Sequence, residues 1–229
     1  MASPRIRFFR SIPLFASLSD HALEEVIAGF HPRVFARNEV LFLQGEEAQI
    51  FYVVAAGRVK LFSTSEQGRE FTFFIAGARQ AFDFPPIFDD KPHPLSASAL
   101  TDVRVYMTPL AHIQEMAERH MGLYKMLARE LAQATRNIAE IASDLALTDV
   151  TTRLARLLVV SSRTQGELTP EGILLPLGLS QSEIAHLLGT AREVVSRSFR
   201  ALERDGLVER RRQSVLIRDQ EKLAELARM

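Results

Sequence analysis

Apolar residues recur with two different periods along this chain. Between Gly45 and Gly77, short β-branched and aromatic runs (Ile50-Phe51-Tyr52-Val53-Val54, Val59-Lys60-Leu61-Phe62, Phe71-Thr72-Phe73-Phe74-Ile75) are separated by single glycines at Gly45, Gly57, Gly68 and Gly77, at intervals of 12, 11 and 9 residues. That is the strand-and-turn spacing of an antiparallel sandwich. Val103-Arg104-Val105-Tyr106 returns as another strand after a loop carrying Pro85, Pro86, Pro92 and Pro94. These segments predict a small β-roll. Ahead of it, Ser19 is placed to cap a short helix carrying Leu23, Val26, Ile27 and Phe30 on one side.

After Pro109 the period becomes helical. Leu127, Leu131, Ala134, Ile138, Ile141 and Leu145 follow one another at steps of 4, 3, 4, 3 and 4, a heptad seam. So narrow a stripe favours pairing with a second copy over an amphipathic helix lying on its own β-roll. Another apolar helix, Leu154 to Val160, is followed by a turn-rich stretch punctuated by Gly166, Pro170, Gly172 and Pro176. Two short helical patterns then flank Gly189-Thr190, the first from Ser180 to Leu188 and the second from Ala191 to Arg204. Ser180 and Glu183 form a capping box, and the glycine-containing break is that of a helix-turn-helix. Asp205-Gly206 ends the second helix, and Leu207 to Ile217 reads as a hairpin with a basic turn, a wing. The expected architecture is α+β: a β-roll (jelly roll) over 1–108, a long dimerisation helix over 109–147 and a winged helix-turn-helix over 148–229.

Composition narrows the functional classes. Fourteen of the 15 Phe lie at or before Phe88, which implies two separate cores in the 229 residues. The absence of cysteine excludes disulfides, thiolate catalysis, Cys-held zinc and iron–sulfur clusters. No apolar run approaches the roughly 18 residues a membrane span needs, and Met1 to Arg10 lacks a signal-peptide core, so a cytoplasmic protein without a membrane partner is expected. No grouping of nucleophile, base and orienting residue points to an enzyme.

Lys plus Arg (28) balance Asp plus Glu (28), so any basic surface must be local. It is: from Arg192 to Arg218 there are eight Arg and four acids. On the second motif helix Ala191, Val194, Val195, Phe199 and Leu202 supply apolar contacts, while Arg192, Glu193, Ser196, Arg197 and Arg200 project from the other side. Arg pairs bidentately with the O6 and N7 of guanine, and Glu accepts from the cytosine amino group. Arg192, Glu193, Ser196 and Arg197 are therefore the candidate base-reading residues of a double-stranded DNA ligand. A charged, solvated helix face is the plain alternative, and the turn, wing and seam around it favour DNA.

Asp149-Val150-Thr151-Thr152-Arg153-Leu154-Ala155, the helix-turn-helix and above all Arg192-Glu193-Val194-Val195-Ser196-Arg197 resemble the bacterial CRP/FNR superfamily of transcription regulators. Leu43-Gln44-Gly45-Glu46 and Gly57-Arg58-Val59-Lys60-Leu61 agree with its cyclic-nucleotide-binding-like β-roll. The resemblance implies a homodimer on a near-palindromic site, with RNA polymerase as a further partner. Arg192, Glu193 and Arg197 match the branch that reads TGTGA-like half-sites and Ser196 the branch that reads TTGAT-like ones, so half-sites with a TG or TGA step are expected. Ser180, Gln181 and Arg200, then Arg211 and Arg212 on the wing, are the matching phosphate contacts.

The same alignment addresses the effector. The family's cyclic nucleotide binders use a glutamate and an arginine that correspond to Phe84 and to Pro94 or Leu95, and Ile138 and Ala139 stand where the helix would face adenine. An apolar effector pocket of Phe84, Pro86, Leu95, Ser96 and Ile138 is expected, and cyclic AMP is not. Haem, an apolar or aromatic small molecule, or no effector remain. His93 is the haem-ligand candidate of a gas (NO or CO) sensor, against the favoured alternative of a solvent-facing loop histidine. His186 is expected exposed and His120 on the dimer seam, neither in a metal site. A ligand-binding module acting by protein contact is the competing function.

Overall fold

The computed structural model describes residues 3–212 and 214–227. Its contacts divide the chain into two compact units, Met1–Ile138 and Ala139–Met229.

The first unit opens with α1 (Pro4–Arg10) and α2 (Asp20–Ala28), α2 capped as expected by Ser19, whose hydroxyl accepts from the Ala22 amide. Strands β1 (His31–Phe35), β2 (Val40–Phe42), β3 (Ile50–Ala56), β4 (Val59–Thr64), β5 (Glu70–Ala76) and β6 (Ala81–Phe82) follow. The short helix α3 (Pro86–Asp89), β7 (Ser96–Ala99) and β8 (Val103–Pro109) complete the roll. Two antiparallel four-stranded sheets result, ordered β1-β8-β3-β6 and β2-β7-β4-β5. Their facing side chains, among them Phe42, Tyr52, Val54, Leu61, Phe82, Ala97 and Val105, close one apolar core. A second core lies under the helices, where Phe9, Phe15, Phe30 and Phe51 meet.

The long dimerisation helix expected over 109–147 is two helices. α4 (Leu110–Arg119) ends at His120, which adopts an extended backbone, and α5 (Met121–Leu147) starts afresh. His120 is thereby corrected: it stands at this break, with its Nε2 2.9 Å from Glu25 Oε2 on α2, and not on the seam. Leu127 is corrected as well. It is fully buried in the core of its own unit, where Leu131 packs against it. Further along α5 the stripe emerges, with Ile138 52% and Leu145 41% exposed and Ala134 and Ile141 half-buried.

In the second unit α6 (Val150–Gln165) is capped by Asp149. The turn-rich stretch after it is a hairpin of β9 (Glu167–Thr169) and β10 (Gly172–Leu175), which joins β11 (Val208–Arg210) and β12 (Val215–Ile217) in a sheet ordered β11-β12-β10-β9. Gly172 is obligatory there, because a Cβ would stand 2.1 Å from the Ile217 carbonyl oxygen and φ is +135°. Between the two hairpins lie α7 (Gln181–Leu188) and α8 (Arg192–Arg204), and α9 (Gln220–Leu226) ends the described chain. Leu154, Leu158, Ile184, Val195, Phe199, Leu202 and Leu223 share one core. Among the described residues no helix is long and apolar enough to cross a membrane.

Candidate nucleic-acid interface

Local chemistry fixes the two motif helices. Ser180 Oγ accepts from the Glu183 amide at 3.2 Å while the Glu183 carboxylate accepts from the Ser180 amide, so α7 begins at one defined residue. It stops at Gly189, whose φ of +61° is left-handed and whose amide bonds to Ala185 O. Ala191 then serves as the N-cap of α8 and is exposed, which corrects its assignment to the apolar side.

α8 is sharply two-sided. Val195, Ser198, Phe199 and Leu202 are buried and Val194 half-buried, and the Ser198 hydroxyl accepts from Thr151 Oγ1 at 3.0 Å. Arg192, Glu193, Arg197 and Arg200 are exposed and Ser196 half-buried. Together with Gln181 these five line one shallow depression on the surface. The face expected to read bases is thus a continuous outward surface, with the neighbouring phosphate candidates Gln181 and Arg200 at its edge.

The wing arginines differ from this picture. Arg210 makes a two-pronged pair with Glu203 (3.0 and 2.7 Å) and lies over the Phe199 ring. That guanidinium, bonded to the Glu203 carboxylate, holds its carboxyl below the usual range. Arg211 is bound by both Glu171 and Glu209, Arg218 by Glu209, and Arg204 pairs with Asp205. Arg192, Arg197, Arg200 and Arg212 form no ion pair among the described residues. The basicity counted along 192–218 is therefore concentrated on the α8 face, and Arg211, proposed for phosphate, is already engaged. Gln213, in the expected basic turn, lies outside the described residues.

The remaining candidates are dispersed. Phe84 belongs to the core beneath the helices, packing on Phe51, whereas Leu95 packs on the core between the sheets. Pro86 is buried, Ser96 Oγ accepts from the Gln44 amide at 2.9 Å, and Ile138 is half exposed. Phe84 and Leu95 thus pack in different cores of the unit. His93 is not a solvent-facing loop residue: it is 4% exposed, stacked on Phe42 at 3.8 Å, with Nδ1 2.5 Å from Asp83 Oδ2. Asp83, missed from the sequence, was detectable as a lone acid between Phe82 and Phe84. His186 is half-buried on α7 where exposure was expected.

Comparison with known proteins places these observations. Residues 32–120 match the family model of the cyclic nucleotide-binding domain, and residues 152–226 that of the Crp-like helix-turn-helix domain. The chain is 30% identical over 219 residues to the CRP-like cAMP-activated global transcriptional regulator of Mycobacterium tuberculosis, covering 94% of this chain and 96% of that protein. It is likewise 30% identical over 222 residues to the transcriptional activator protein Anr of Pseudomonas protegens, covering 94% and 88%. Among solved structures, a CooA mutant from Carboxydothermus hydrogenoformans superposes with a TM-score of 0.77 at 26% identity, covering 88% of this chain and 89% of that one.

Proposed function

Since the chain belongs to the CRP/FNR family of transcription regulators, which are not enzymes, we propose that it acts as a homodimer reading a near-palindromic DNA site with TG- or TGA-containing half-sites, under an effector other than cyclic AMP or an iron–sulfur cluster. One α8 enters each of two successive major grooves, about 34 Å apart. The observation that carries this is the α8 surface: three guanidinium groups without ion-pair partners among the described residues, one carboxylate and one hydroxyl on a single outward face. Arg192, Glu193, Ser196 and Arg197 read base edges. Ser180, Gln181 and Arg200 hold phosphate, and Arg212 is the available wing cation. RNA polymerase is the proposed further partner.

Arg197→Ala is expected to lose about 1–3 kcal/mol on a matched site and to relax the preference at one base pair. Arg200→Ala should weaken all duplexes alike and reduce the slope of log affinity against log salt by about one. Salt titrations on matched and random duplexes separate the two. Identical behaviour of both variants would remove the division between base and phosphate contacts.

The effector reading rests on the β-roll. The mycobacterial relative is named for activation by cAMP, yet Phe84 and Pro94 or Leu95 offer this chain no carboxylate for a ribose and no cation for a cyclic phosphate. An unpaired phosphate among apolar groups costs several kcal/mol, on the order of 2–7 for a polar group without a partner. Haem does not reach His93, whose ring is 4% exposed and stacked against Phe42. Calorimetry with cyclic AMP should show no saturable heat, and titration with haem no stoichiometric Soret band.

A further inference from the structure

We propose that Glu171 and Glu209 act as charge guards of the wing: they occupy Arg211 and Arg218 in the free protein and hold down the sequence-independent grip on DNA. The inference rests on the DNA-binding reading above. It starts from a chain of alternating charges, Glu171–Arg211–Glu209–Arg218, that joins the β9–β10 turn to the two strands of the wing. Glu209 receives a guanidinium on each carboxylate oxygen, from Arg211 at 3.1 Å on Oε1 and from Arg218 on Oε2. Two cations and two anions cancel, so this side of the wing presents no net charge.

The pairs are built to exchange. Their side chains are 40–58% exposed, where an ion pair is screened by water and worth little. The neighbouring Arg210–Glu203 pair is of another kind, two-pronged, 30% exposed on each side and backed by the Phe199 ring, and so belongs to the framework. Phosphate can draw Arg211 away from Glu171, whereas Arg210 is held by two hydrogen bonds to one carboxylate. Non-specific affinity grows with each arginine that neutralises a phosphate. An arginine that must first leave a carboxylate, and that leaves this carboxylate facing the backbone, contributes less.

The test uses the full chain and fluorescence anisotropy on a random-sequence duplex and on a duplex with two TGTGA-like half-sites. Glu171→Gln is expected to raise affinity for the random duplex roughly two- to five-fold at low salt. The Glu171→Gln/Glu209→Gln double variant should steepen the salt slope by up to about one unit per released arginine. Adding Arg211→Gln to Glu171→Gln should cancel the gain. Glu66→Gln, which removes one charge from the exposed β4–β5 turn, should leave binding unchanged. An equal gain from Glu66→Gln, or wild-type slope and affinity in the double variant, would overturn the guard. A wild-type protein that binds neither duplex with a salt dependence would instead overturn the DNA reading itself.

Discussion

Replacing Ile138 and Leu145 together by glutamate is expected to leave a monomer that binds a two-half-site duplex about 10²–10⁴-fold more weakly, because the second reading head no longer benefits from tethering. Both side chains stand on α5 outside either core, 52% and 41% exposed. The substitutions therefore leave both cores intact, while a carboxylate at each proposed seam position would have to be desolvated against a second copy. Leu127 and Leu131 are unsuited to this test, since they pack in the first unit and their loss would damage the fold. Sedimentation equilibrium gives the oligomeric state, and binding to a single half-site, expected within a few-fold of wild type, shows that α8 is intact. A dimer that survives both glutamates would place the interface elsewhere.

His93→Leu is expected to destabilise the first unit by about 1–3 kcal/mol, the cost of leaving a buried polar group without its hydrogen-bond partner. The side chains of His93 and Asp83 are each 4% exposed, and the His93 amide and carbonyl also bond to Glu46 O and the Gly45 amide at 2.9 Å. The backbone of His93 thus ties the loop after α3 to the turn between β2 and β3, and its ring adds the contacts to Asp83 and Phe42. Adding Asp83→Asn should cost little further, because its hydrogen-bond partner is already gone. Asn suits the site, since φ at residue 83 is +65°, a region that Asp and Asn tolerate better than other side chains. Urea unfolding of the single and double variants measures both effects. Equal stability of His93→Leu and wild type would mean that Asp83 does not depend on the imidazole.

These two cases also show what could be read in advance. The strands around Val53, Leu61, Phe73 and Val105 were legible because single glycines interrupt runs of β-branched and aromatic residues, a pattern set within about ten residues. The start of α7 was legible because Ser180 and Glu183 satisfy each other's backbone three positions apart. The burial along α5 was legible only in part. Heptad spacing continues through Leu127, but its spacing carries no record of the core formed by Leu23, Ile113 and Leu123 that takes Leu127 in. His93 looked like a loop residue beside prolines, and its burial depends on Phe42 and Asp83, which approach it only across the roll.

Caps, periods and glycine turns are short-range properties, so the amino-acid order alone sufficed for the β-roll, the helix-turn-helix and the outward side of α8. The availability of each charge is long-range. Arg211 and Glu171 are 40 positions apart, and only the folding of two hairpins into one sheet brings carboxylate to guanidinium. That meeting left the cations of α8 as the accessible ones, because charges cancel where side chains are neighbours in space, whatever their distance along the chain.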